Sequence, residues 1–127
     1  MSRHILVIDD EEAVRDAFLL ALEDLDYHID TASSGEEGLQ KATAHKPDLV
    51  FLDLKMPGLN GVQTLQQLQA AYPDLPVYIV TAFAQEFMAP LLEATQAGLF
   101  FQVAQKPLGS REIRIIAQSV FDQIQTY

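Results

Sequence analysis

The sequence contains no cysteine, which excludes a disulfide framework and any thiolate metal site. Bases are scarce: 8 lysines and arginines stand against 18 acids, for a net charge of −10. Such a chain cannot replace the counterions along a phosphate backbone, so direct nucleic-acid binding by this domain is excluded. Long apolar runs are missing too. None approaches the roughly 18 residues of a membrane-spanning helix, and Met1-Ser2-Arg3 leads into a strand-like segment instead of a signal peptide. The expectation is a cytoplasmic chain with no membrane role.

What is present is ordinary for a folded protein: 127 residues, 49% hydrophobic and 20% charged. That is enough for one domain, residues 1–127, with a single sizeable core. Short apolar runs alternate with helical periodicity. His4-Ile5-Leu6-Val7-Ile8 is a continuous apolar run, as expected for a strand covered on both faces. Val14, Ala17, Phe18, Ala21, Leu22 and Leu25 then form a helical stripe. Tyr27 to Thr31 alternates like an edge strand. Ser34-Gly35-Glu36-Glu37 carries a capping-box pattern before a helix with Leu39 and Ala42 inward.

Leu49 to Leu52 is a second buried strand, and Met56-Pro57-Gly58-Leu59-Asn60-Gly61 is turn chemistry. A helix marked by Val62, Leu65, Leu68 and Tyr72 stops near Pro73, before a third buried strand, Val77 to Val80. Gln85 to Ala97 is helix-like but holds Pro90, so it kinks or starts late, with Gly98 as its C-cap. A weaker strand follows around Phe100 to Ala104, then a helix with Ile113, Ile116, Ala117, Val120, Phe121 and Ile124 on one stripe. Five strands alternating with five helices predict a doubly wound α/β fold with a parallel sheet.

In such sheets ligands bind beyond the carboxyl ends of the strands. The polar residues there are Asp9 and Asp10 after the first strand, Asp53 after the third, Thr81 after the fourth and Lys106 after the fifth. Singly, each has a bland role: a helix cap, a turn acid, a strand-end hydroxyl or a solvated lysine. Together they gather three carboxylates, a hydroxyl and an ammonium on one rim. Like charges about 4 Å apart repel by on the order of 4 kcal/mol at an effective dielectric near 20, which calls for a cation or raised pKa values. An all-oxygen set suits Mg²⁺, which often bridges to phosphate, and a carboxylate can itself accept a phosphoryl group. The three histidines, His4, His28 and His45, read as surface or strand-edge residues.

Over essentially its whole length the sequence resembles the receiver domains of two-component response regulators. Val7-Ile8-Asp9-Asp10-Glu11 is similar to their acidic metal motif. Asp53-Leu54-Lys55-Met56-Pro57-Gly58-Leu59-Asn60-Gly61 is similar to the phosphoacceptor aspartate with its Met56, Pro57 and Gly61 loop. Val80-Thr81-Ala82 and Lys106-Pro107 match the switch hydroxyl with its following small residue and the lysine with its proline. The resemblance implies a flavodoxin-like sheet of order 2-1-3-4-5 and a signalling module instead of an enzyme. It implies Asp53 as phosphoacceptor, with Mg²⁺ (or Mn²⁺) on Asp10, Asp53 and the Lys55 carbonyl, and Asp9 acting through water. Thr81, Ala82 and Lys106 would hold or sense the phosphoryl group, and the Lys106–Pro107 peptide is a candidate cis bond. The implied partners are a histidine kinase or phosphotransfer protein, an effector domain or partner protein, and a second copy in a homodimer.

The sequence departs from the family pattern where an aromatic switch residue is usual, three positions before the lysine; here that residue is Val103. Phe100 and Phe101 lie nearby but off register, and the stretch from Thr81 to Lys106 is a few residues longer than the pattern. The output face is expected among Phe87, Met88, Phe100, Phe101, Val103 and Ile115, while Lys55 and Phe83 sit where the family tunes the lifetime of the phosphorylated form. The alternative is a degenerate receiver acting as a constitutive interaction module. An aspartyl-phosphate phosphatase would want a second Asp where Lys55 stands, and a nucleotide-binding flavodoxin-like domain would want a glycine-rich loop where Asp9-Asp10-Glu11-Glu12 stands.

Overall fold

In the computed structural model, residues 3–56, 58, 60–82 and 84–124 are described, excepting the side chains of residues 84, 86, 123 and 124. The expectations placed on Pro57, Phe83 and the Ile124 side chain therefore lie outside the described residues.

The strands are β1 (Arg3–Ile8), β2 (Tyr27–Ala32), β3 (Leu49–Leu52), β4 (Val77–Thr81) and β5 (Gln102–Gln105). They form one parallel sheet of order β2-β1-β3-β4-β5. The helices are α1 (Glu12–Leu22), α2 (Gly35–Ala44), α3 (Gly61–Ala71), α4 (Met88–Gln96) and α5 (Ser110–Ile124). This is a flavodoxin-like sheet with the strand order that the resemblance implied.

Continuous apolar strands make sense because both faces are covered. Along β1, Leu6 and Ile8 enter one core with Val50, Leu52 and Ile79, together with Leu65 and Leu68 of α3 and Leu91 of α4. The alternate residues Ile5 and Val7 join Leu49, Phe51 and Val80 in a second core, closed by Phe18 and Leu22 of α1 and Ile113, Ala117 and Phe121 of α5. The period-2 side-chain alternation of a strand thus divides one sheet between two helical layers. Ala17, expected on the inward stripe of α1, is exposed.

Local chemistry fixes the element ends. The Ser34 side chain accepts from the Glu37 N–H, but the Glu37 carboxylate accepts from the Ser33 N–H and hydroxyl, so the return half of the expected capping box falls one residue early. A complete box opens α3 instead: Asn60 Oδ1 accepts from Gln63 N, and Gln63 Oε1 accepts from Asn60 N. Pro90 delays α4, whose approach Ala84–Phe87 winds as a 3-10 turn. At its far end Gly98 takes φ +90°, with Gly98 N–H bonded to Thr95 O and Leu99 N–H to Ala94 O, both at 3.0 Å. This left-handed stop is one that glycine adopts readily.

The last strand differs from expectation. It spans Gln102–Gln105 and excludes Phe100 and Phe101. The cause is the Gln69 side chain, which accepts from Phe100 N–H at 2.8 Å and donates to Phe100 O, occupying the backbone groups that a strand ladder would need.

Candidate functional site

Parallel strands all end on the same edge of the sheet, and the candidate residues follow from that. Asp9 and Asp10 come directly after β1, Asp53 directly after β3, Thr81 closes β4 and Lys106 follows β5. Their backbones extend the ladder: Asp9 N–H bonds Ala32 O at 3.0 Å, Asp53 N–H bonds Ile8 O at 2.9 Å, and Lys106 N–H bonds Thr81 O at 3.0 Å. The side chains are therefore set by the sheet and not by a mobile loop, which favours a preorganised site.

The Lys106 ammonium is the centre of the constellation. Its Nζ stands 2.9 Å from Asp9 Oδ2, 3.6 Å from Asp53 Oδ2 and 3.4 Å from Glu11 Oε1. Asp9, Asp53 and Thr81 are buried, whereas Asp10 and Glu11 are exposed. One carboxylate oxygen from each of Asp9, Asp10 and Glu11 lies within 4.8 Å of the other two.

The crowding shows in the proton affinities. Burial, followed by the charge of Asp9, raises the Asp53 pKa to about 6 against an ordinary 3.8, despite the opposing Lys106. Burial likewise raises Asp9, opposed by its bonds from the Glu11 N–H and from Lys106. Burial alone would lower the Lys106 pKa, but the hydrogen bond to Asp9 and the charges of Asp9, Asp53 and Glu11 outweigh it and the pKa rises.

The loop after β3 is held close. Gly61 packs so tightly that a Cβ there would stand 2.3 Å from the Asp53 carbonyl oxygen and 2.5 Å from Leu54 Cα, both backbone atoms. Only glycine permits α3 to begin there. Gly58 takes φ +75°, Met56 is buried in the first core, and Lys55 is exposed. Ala82 is exposed beside Thr81, and the Lys106–Pro107 peptide is cis.

Glu11, quoted in the acidic motif, was given no role of its own there, and Arg15 escaped the sequence reading. Glu11 joins the acidic group through Lys106, and Arg15, one turn into α1, donates from Nη1 to Asp9 O at 2.8 Å. No motif marks Arg15. The expected output residues divide. Met88, Phe100, Val103 and Ile115 are exposed, but Phe87 and Phe101 pack against the first core and are partly buried, which takes them off an open face. Leu92, one helical turn beyond Met88, is 60% exposed and was missed.

The donor set fits a hard divalent cation: carboxylate oxygens gathered at one rim, with no sulfur or nitrogen ligand among them. A receiver-domain family model, response regulator receiver domain, matches residues 5–118. The chain is 41% identical over 87 residues to the alkaline phosphatase synthesis transcriptional regulatory protein PhoP of Bacillus subtilis, covering 68% of this chain and 36% of that one. It is 40% identical over 97 residues to the response regulator GacA of Pseudomonas viridiflava, covering 74% and 45%. The chain thus spans between about a third and a half of the length of these curated relatives. Among solved structures, the CheY-like receiver domain protein of Methanospirillum hungatei superposes with a TM-score of 0.86 at 24% identity over the whole of both chains. A receiver domain protein from Clostridium thermocellum does so with 0.81 at 29% identity over 97% of each. With family model, relatives and architecture in agreement, the chain belongs to the response regulator receiver domains of two-component signalling.

Proposed function

We propose that this domain is a phosphorylation switch in which Asp53 accepts a phosphoryl group from a histidine kinase, a phosphotransfer protein or a small phosphodonor. A carboxylate oxygen of Asp53 forms the bond to phosphorus while the donor's P–N or P–O bond breaks, and the leaving group departs with the bonding pair. Asp10, Asp53 and the Lys55 carbonyl are the groups to hold Mg²⁺, with Asp9 acting through water; the ion when bound supplies charge neutralisation for the transferred group.

The observation that carries this reading is the Lys106 ammonium suspended between buried Asp9 and Asp53 at the carboxyl edge of the sheet. An incoming phosphoryl oxygen offers Lys106 a new partner, and its amide bond to Thr81 O holds the ends of β4 and β5 side by side on the same rim. Thr81 and Lys106 then grip the phosphoryl oxygens, Ala82 leaving room beside Thr81. Response regulators interact with histidine kinases and effector domains. Here Met88 and Leu92 on α4, Phe100, Val103 on β5 and Ile115 on α5 are exposed apolar residues suited to carry the output to an effector or a second copy.

Incubation with acetyl phosphate and Mg²⁺, read by intact mass, tests the proposal. A gain of one phosphoryl group, lost with EDTA and in Asp53→Asn, is the expected result. A folded, unmodified protein would leave only a constitutive interaction module.

A further inference from the structure

His4, His28 and His45 lie far apart in sequence, yet the fold gathers their rings together. β1 and β2 run in parallel register with His4 beside His28, and His45 caps the carboxyl end of α2. The His4 and His45 rings stack with centroids 4.0 Å apart and 12° between planes, and the His28 ring lies 5.0 Å from His4 and 5.8 Å from His45. One ring nitrogen from each lies within 4.8 Å of the other two.

The three are not equivalent. His28 and His45 are exposed, but His4 is only 2% exposed, which corrects its reading as a surface or strand-edge residue. Its Nδ1 sits 3.3 Å from Lys46 O, while its Nε2 is buried without a hydrogen-bond partner among the described residues. A buried polar atom is normally paired, and one that is not asks for an explanation. A proton on Nδ1, shared with the Lys46 carbonyl, leaves the lone pair on Nε2. That arrangement, one nitrogen to a backbone carbonyl and the other free, is how proteins orient a metal-binding imidazole.

We propose that His4, His28 and His45 form a binding site for one divalent transition-metal ion of the zinc class. Three imidazoles suit Zn²⁺, Cu²⁺ or Ni²⁺ and offer nothing to Mg²⁺. At a Zn–N length of about 2.0–2.1 Å the nitrogens must draw closer than 4.8 Å. The His28 and His45 rings are exposed and can rotate inward, while buried His4 is held by its Nδ1 against Lys46 O and by its backbone N–H, which donates to Asp48 Oδ2 at 2.8 Å. A water completes four-coordination.

The site is separate from the acidic rim. His4 and Asp9 stand at opposite ends of β1, five residues or about 16 Å apart at strand rise. A metal here ties edge strand β2 and the end of α2 to the interior strand β1. It therefore acts on the scaffold and not on phosphoryl chemistry.

Zn²⁺ titration of the metal-free protein, with Mg²⁺ saturating and a chromophoric chelator competing, tests the proposal alongside histidine ring nitrogen shifts by NMR. The expected result is one Zn²⁺ per chain with all three imidazoles shifted. Affinity should fall at least about tenfold in His28→Ala and in His45→Ala, and stoichiometric binding should be lost in the double variant. Both positions are exposed, and circular dichroism checks that the variants fold. Asp53→Asn should bind Zn²⁺ as the wild type does. Failure to bind one equivalent, binding retained by the double variant, or binding lost in Asp53→Asn would each overturn the site.

Discussion

Lys106 Nζ lies 2.9 Å from Asp9 Oδ2, with the two side chains only 14% and 4% exposed. A pair this well desolvated resists removal of one partner, because the other charge stays buried. Lys106→Met is therefore expected to destabilise the domain by about 2–3 kcal/mol at neutral pH without divalent cations. Addition of Mg²⁺ should recover part of the loss. Urea unfolding with and without Mg²⁺ measures both; an unchanged midpoint would show that the pair contributes nothing.

Asp53 carries the opposite sign. Its folded pKa of about 6 lies above the ordinary 3.8, so the folded state holds the proton more tightly than the unfolded chain does. The stability it contributes is complete below pH 3.8 and is lost as pH rises from there through about 6. Above that window the ionised carboxylate costs at most about 3 kcal/mol. Asp53→Asn should then be more stable than the wild type at pH 7.5 in EDTA by about 1–3 kcal/mol. At pH 4 the two should be nearly equal. Chemical denaturation at the two pH values decides it.

Gly61 abuts the Asp53 carbonyl without room for a methyl group. Gly61→Ala must push α3 or the β3 end aside, at a cost of about 3 kcal/mol or more. The expected signature is a lowered melting temperature together with slower phosphorylation by acetyl phosphate, since the backbone of the proposed acceptor shifts. Phosphorylation at the wild-type rate would argue that α3 alone gives way.

Gln69 stands in for a strand neighbour at Phe100 and also donates to Leu75 O at 3.2 Å. Gln69→Ala removes the partner of the part-buried Phe100 groups and of the buried Leu75 carbonyl, for a loss of about 2 kcal/mol. The Phe100 amide should exchange its hydrogen faster while β1 and β3 amides stay protected. Uniform loss of protection would instead indicate global destabilisation.

The strand ends were readable because strand-like runs give way there to polar or charged residues, and a parallel sheet sends all such ends to one side. Asp9, Asp53, Thr81 and Lys106 were legible together for that reason. The start of β5 was not. Phe100 and Phe101 favour a strand by type, but Gln69, 31 residues earlier, claims the Phe100 backbone. Phe87 resembled a surface aromatic, yet the late start of α4 turns it toward the core. Nor could spacing reveal the histidine cluster. It depends on the pairing register of β1 with β2 and on where α2 ends, both long-range outcomes.

Thr81 and Lys106 share the final rung between β4 and β5, through the Lys106 amide and the Thr81 carbonyl. Their main chains are coupled, so a tug on the threonine is felt directly by the lysine's own strand. β5 is an edge strand, so a displacement of Lys106 reaches the outermost strand of the sheet without crossing another.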